Sequence, residues 1–294
     1  MKRNRYRYLL ILPGFLFFFI FKYIPYSGLL IAFQDYNVKE GIFGSKFIGL
    51  ENFRYLMQTP DFLRMIRNTL TISILSIVFY FPLPIVISVL LSEVRHDRYK
   101  KVMQSVVYLP HFLSWVVVYA LTFFLLSIDV GVVNKIFMAL GLEKVSFLTN
   151  KTAFYVIITA QTVWRETGWG TILFLAAICG INMELYEAAA IDGANRLQQI
   201  WHISLPGIKT TIITLLILRL GRMADVSLEQ VLLIQNPVIK KVSEVFSTYA
   251  YNFGILKGLT SIGVAVDMFK SVINVVFVFT ANYIVKKMGE ESIL

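Results

Sequence analysis

Charge is scarce in this chain: Asp, Glu, Lys and Arg make up 16% of its 294 residues, against 57% hydrophobic residues. A soluble domain of this length carries about a quarter charged residues, so a water-soluble globular fold is excluded. Cysteine is nearly missing. Cys179 stands alone, and no disulfide can form within the chain. Histidine is confined to His96, His111 and His202, and together with Cys179 these show no metal-ligand spacing. No G-x-x-x-x-G-K-[ST] phosphate loop occurs, so the chain cannot hydrolyse ATP by that route. There is no low-complexity linker and no defensible internal repeat, so residues 1–294 are read as a single membrane domain.

What the chain does have is long apolar runs. A hydrocarbon core about 30 Å thick needs about 20 helical residues to cross it. Asn68–Ser92 and Val102–Ile128 meet that length without one Asp, Glu, Lys or Arg. Six candidate helices emerge: Tyr8–Phe33, Asn68–Ser92, Val102–Ile128, Phe154–Ile181, Thr210–Ala224 and Ile262–Val285. The opening "MKRNRYR" followed by an apolar run is read as an uncleaved first span, because no small-x-small cleavage site follows it. An even number of spans puts both termini on one side. With the termini inside, the inner segments hold 12 Lys and Arg and the longer outer segments 11, so basic density is higher inside. The expected fold is therefore an all-α integral membrane protein with six spans and cytoplasmic termini. The net charge of +10 is spread through loops and spans rather than gathered in a patch, which argues against nucleic acid as a partner. The basic segment "RHDRYKKVMQ" is expected at the inner headgroup surface, held by anionic lipid.

One polar stretch, "EAAAIDGANRLQQIWHISLP" at 187–206, lies between the fourth and fifth spans, on the cytoplasmic side in this orientation. Its alanines favour helix, and Glu187 suits a first helical turn. Gly193 permits a backbone turn that residues with a β-carbon resist. A second short helix is expected from about Ala194 to Trp201, and Pro206 suits the start of the next span. The prediction is a helix-turn-helix over about 184–207.

Glu187-Ala188-Ala189, Gly193, Ile203, Leu205 and Pro206 fit the pattern E-A-A-x3-G-x9-I-x-L-P. This resembles the signature loop of permease subunits in binding-protein-dependent ABC importers. "NTLTISILSIVFYFPLPIVISVLLSEV", "YLPHFLSWVVV", "GWGTILFLAAICGINMELYEAAAIDGANR" and "VAVDMFKSVINVVFVFTAN" resemble the carbohydrate branch, of the maltose and multiple-sugar type. The resemblance runs over nearly the whole chain. It implies a bacterial cell-membrane permease that takes up an oligosaccharide or polysaccharide fragment. The implied partners are a second permease subunit, a different chain in relatives of this type, and two ATPase subunits. An extracellular substrate-binding protein would deliver the cargo. ATP and magnesium would then be bound by the ATPase subunits, with no cofactor in this chain and no catalytic role for it. The loop would be the coupling helix, with Glu187, Ala188, Ala189, Asp192, Gly193, Ala194, Arg196, Leu205 and Pro206 seated against the ATPase.

Ionisable residues inside a span must face a cavity or a partner. Arg165 and Glu166 fall near the middle of the fourth span, Arg219 and Arg222 in the fifth, Asp267 and Lys270 in the sixth. Pairing between helices, such as Glu166 with Arg219, or along one helix, as for Asp267 with Lys270, competes with contact to a polar cargo. Trp164 and Trp169 flank the fourth-span charges and could stack on sugar rings, while Asn274 lies in mid-span. In or near the spans, five basic residues face three acidic ones, which suggests a carboxylate-bearing cargo. The rival class is an ATP-independent secondary transporter or channel for polar solutes. It would need its own ion-coupling site and usually inverted repeats, and neither is visible.

Overall fold

The computed structural model describes residues 5–289. Lys2 and Arg3, used in the orientation count, lie outside them, as do both chain ends. Where water is absent, only hydrogen bonds within the segment satisfy backbone N–H and C=O groups, so an apolar chain is driven into helix. One small departure corrects the all-α expectation. Gln34–Asp35 pairs antiparallel with Lys46–Phe47 and closes the turn-rich segment between them. Asn52 holds its base, donating from Nδ2 to Ala32 O and Gln34 O at 2.9 Å each.

Three helices are long and apolar enough to cross a bilayer: Tyr8–Phe33, Phe62–Ser92 and Thr260–Lys287. Three further candidates are bent pairs. Asp97–Phe112 meets Trp115–Leu126 at 98°, Lys151–Cys179 meets Met183–Ile191 at 69°, and Arg196–Gly207 meets Lys209–Leu220 at 57°. Among the described residues this gives three spans, or up to six if each pair is one span. The run Val102–Ile128 is thus not one straight helix. Pro110 begins a tight 3-10 turn at Leu109–Phe112, and Ser114 then caps a new helix by accepting from Val117 N at 3.4 Å. Nor does Thr210–Ala224 stay helical throughout: the helix stops at Leu220, and turns occupy 221–224.

The chain packs as two compact units. In the unit formed by 5–65 and 246–271, Phe269 meets Phe62 at 5.0 Å and Phe246 at 5.9 Å. Gly254 and Gly263 let two backbones touch, since a β-carbon on Gly254 would lie 2.9 Å from Gly263 Cα.

The other unit, 66–245 with 272–289, is organised around the helix Lys151–Cys179. Asn150 starts it, its Oδ1 accepting from Thr152 N at 2.9 Å and Ala153 N at 3.0 Å. One apolar cluster joins Ile72, Phe154, Ile158 and Val231, and a second, nearer the Cys179 end, joins Val89, Phe174, Ile178 and Ile208. Asn68 is fully buried, with Nδ2 donating to Lys241 O (3.0 Å) and Glu244 O (2.9 Å) and Oδ1 accepting from Tyr155 Oη (3.2 Å).

Two glycines set how closely neighbours approach this helix. A β-carbon on Gly170 would meet the Pro84 ring at 2.9 Å, and one on Gly168 would meet Val107 O at 2.1 Å. The second obstacle is backbone and cannot swing aside. Gly168→Ala is therefore expected to destabilise the subunit by about 1–3 kcal/mol or more, read as a lowered melting temperature in detergent.

Candidate functional site

Two regions carry chemistry that packing alone does not require. The first is the hairpin after Cys179. Asn182 caps the helix Met183–Ile191 by accepting from Glu184 N at 3.1 Å. Glu184 therefore occupies the first turn, and Glu187 sits one turn further on, a correction to the sequence expectation. The helix ends in paired bonds, Gly193 N to Ala190 O (3.1 Å) and Ala194 N to Ala189 O (2.9 Å), with Gly193 at φ +82°. This is the Schellman closure that glycine satisfies without strain. The next helix starts at Arg196, not Ala194. Asn195 Oδ1 accepts from Gln198 N at 2.9 Å while Gln198 Oε1 accepts from Asn195 N at 2.7 Å, a reciprocal capping box. Arg196 Nη1 lies 3.8 Å from Glu93 Oε2, and Tyr186 Oη meets Ser204 Oγ at 2.9 Å. Leu205 is half-buried, whereas Glu187, Ala188, Asp192, Gly193, Arg196 and Pro206 are exposed. Ile191 is 88% exposed and Trp201 63%, so this polar hairpin shows large apolar side chains to its surroundings.

The second region lies where two helices stop. At the first stop, Leu113 O accepts from Arg165 Nε at 2.9 Å, and the Arg165 guanidinium lies 4.5 Å from the centre of the Trp115 ring. Arg165 Nη1 also pairs with Glu166 Oε1. Glu166 Oε2 in turn lies 3.0 Å from His111 Nδ1, and the His111 ring stacks on Trp169 at 4.8 Å. At the second stop, Met223 O accepts from Ser73 Oγ, and Ala224 N donates to Asn274 Oδ1 at 2.8 Å. Beside the two stops is a cleft of about 230 Å³ whose wall includes Trp115, Arg165, Glu166, Arg219, Arg222 and Asp225. Ser73, Ser76 and Gln230 add polar atoms to its wall. Gln230 is buried and fixed by bonds to Ile158 O (3.0 Å) and Gln161 Oε1 (3.2 Å). A second cleft of about 260 Å³ shares Arg219 and Arg222 and adds Trp169 and Tyr80.

Arg165, Glu166, Arg219 and Arg222 thus meet at one cleft, with Trp169 at the next. The suggested Glu166–Arg219 pair does not form: Glu166 faces Arg165 and His111, while Arg219 donates to Ser76 Oγ at 2.7 Å and lies over Tyr80 at 5.2 Å. Trp164 lines neither cleft. Asn274 is committed to the backbone of the second stop. Asp267 and Lys270 pair along their helix at 3.3 Å, in the other unit. Sequence reasoning missed His111 and Trp115, although both flank the helix break in "LPHFLSW". It also missed Ser73 and Ser76, whose i, i+3 spacing in an uncharged span marks one polar face.

The family described as "Binding-protein-dependent transport system inner membrane component" matches residues 84–290. The protein LplB of Bacillus subtilis (strain 168) is 46% identical over 293 residues, covering 100% of this chain and 92% of that protein. The polygalacturonan/rhamnogalacturonan transport system permease protein YteP of the same organism is 44% identical over 291 residues, covering 99% and 91%. Among solved structures, a chain of a bacterial alginate ABC transporter, in complex with an alginate pentasaccharide-bound periplasmic protein, superposes with a TM-score of 0.89. It is 38% identical, with 99% of this chain and 98% of that chain covered.

Asn274 serves the helix stop through its Oδ1. Replacing it with leucine leaves Ala224 N without its acceptor and is expected to cost about 1–2 kcal/mol. A lowered melting temperature with an unchanged half-saturating cargo concentration is the expected pair of results.

Proposed function

The chain belongs to the family of binding-protein-dependent transport system inner membrane components, and from that premise we propose how this ABC-importer permease subunit works. It resides in the bacterial inner membrane and serves the import of oligosaccharides, a reading supported by its similarity to YteP and to a chain of the alginate ABC transporter. On the proposed reading the three bent pairs count as spans, which gives six, with both termini cytoplasmic. The two compact units act as one transmembrane domain, a reading supported by the family match at 84–290, which runs across their boundary.

The subunit pairs with a second, different permease chain and receives cargo from an extracellular binding protein. ATP and magnesium are handled by two separate ATPase subunits, whose docking point is the hairpin 184–207. The observation that supports this docking best is the hairpin itself. Its backbone is closed by a glycine turn and a capping box, yet Ile191 and Trp201 remain uncovered. A rigid hairpin with exposed apolar side chains is suited to a groove on another protein. Nucleotide-driven closure of the ATPases would then move the attached helices as rigid bodies.

The cargo carries carboxylates. Support comes from the polyuronate in the name of YteP and from a second solved importer, described as taking in the acidic polysaccharide alginate. Within this chain, three guanidiniums against two carboxylates leave the first cleft one positive charge in excess.

Two substitutions test the docking. Gly193→Val forces a β-branched residue to φ +82° at a strain of about 1–3 kcal/mol. Glu187→Lys reverses an exposed charge without strain. Both should abolish oligosaccharide uptake while the subunit still reaches the membrane and pairs with its permease partner; normal uptake in both contradicts the assignment.

A further inference from the structure

Three arginines reach the clefts, and they are not equivalent. Arg165 is used up internally, by Glu166, by Leu113 O and by the Trp115 ring. Arg219 is held by Ser76 and lies over Tyr80. Arg222 is exposed, lines both clefts, and makes no side-chain hydrogen bond or ion pair with any described residue. It sits in the turn that follows Leu220, where the helix has already ended.

Depth makes this informative. Arg165, which lines the same cleft as Arg222, is 14 residues before Cys179, the end of its helix, which at 1.5 Å per residue is about 21 Å. A guanidinium near that depth with no partner is strongly disfavoured against hydrocarbon. Irregular backbone is tolerated there only inside protein or along a water-filled path. Arg222 therefore faces such a path, with its five donors unspent.

We propose that Arg222 is the residue of this subunit that binds a carboxylate of the passing uronic-acid oligosaccharide, with Arg219 beside it and Arg165 reserved for the helix stop. The proposal rests on the acidic-cargo reading above and assigns it to one side chain. A guanidinium matches a carboxylate with two parallel N–H···O bonds. Lysine keeps the charge but loses that fork, and glutamine loses both. Each step should therefore weaken transport further.

The test uses the complete importer, purified with its binding protein and reconstituted in proteoliposomes, with trigalacturonate as probe. Arg222→Gln is expected to slow uptake by about tenfold to a hundredfold, the value of a charge-assisted hydrogen bond. Arg222→Lys should recover a clear part of that loss. Should Arg222→Gln prevent assembly, the fall between wild type and Arg222→Lys carries the test. The proposal is overturned by Arg222→Gln uptake within twofold of wild type, or by equal impairment of the two variants. A wild-type importer that takes neutral oligosaccharides but not trigalacturonate overturns it together with the acidic cargo, and leaves the importer function standing. A wild-type complex that imports no oligosaccharide removes the function itself.

Discussion

On the six-span reading proposed above, two helices stop inside the membrane, where their freed N–H and C=O groups must be paired, and this constraint would organise the subunit. Water is not there to do it. At Leu113 the carbonyl is taken by Arg165, and at Met223 and Ala224 the partners are Ser73 and Asn274. Polar residues in three different helices are thereby fixed in position by backbone they do not belong to. The cleft beside the two stops inherits their geometry. It is a by-product of solving a hydrogen-bonding problem.

The same constraint sorts the in-span charges by role. A charge spent on backbone or on a neighbouring side chain cannot also hold a moving cargo without releasing what it holds. Arg165 and Glu166 are spent, and His111 and Trp169 extend their contacts along the corner. Asn274, mid-span and polar, has its Oδ1 taken by Ala224 N. Asp267 and Lys270 satisfy one another along their helix. Under the proposal above, what is left to bind cargo in the second unit is Arg222, in the turn that follows the helix Lys209–Leu220.

The legible part of the sequence was the part written in local terms. The uncharged run Asn68–Ser92 lies within the apolar helical stretch Phe62–Ser92, and Gly193 predicted a turn that the structure shows at positive φ. The hairpin was found because its signals are contiguous. Its details were not: Asn182 and Asn195 each captured a helix start that had been assigned to neighbours, because capping depends on which side chain reaches the free N–H first. The 98° corner at Leu113–Ser114 was not legible either. Pro110 announces a bend, but the partner of the corner carbonyl, Arg165, stands 52 positions away. Sequence spacing also suggested Glu166 with Arg219 and could not reveal that His111 was nearer. Contacts between distant segments need the fold before they can be read.

One helix joins the two functional regions. Lys151–Cys179 carries Arg165 and Glu166 at the cleft and, after residues 180–182, runs into the hairpin helix at 69°. The backbone hydrogen bonds of such a helix make it stiff along its axis. Close contacts at Gly168 and Gly170 leave no slack against Val107 and Pro84. Under the proposed coupling, a push on the hairpin therefore cannot be absorbed by bending at those points. It must displace the long helix together with whatever Gly168 and Arg165 hold, which is the corner at 107–115. The Arg196–Glu93 contact attaches the hairpin to one more segment, and the Tyr186–Ser204 bond ties its two arms together, so the displacement is shared. Force applied outside the membrane would thus arrive at the stopped helices, where the cleft can change width without breaking a regular helix. A continuous six-helix bundle would have had to break backbone hydrogen bonds to open. A bundle whose interruptions are already paired can open by moving side chains.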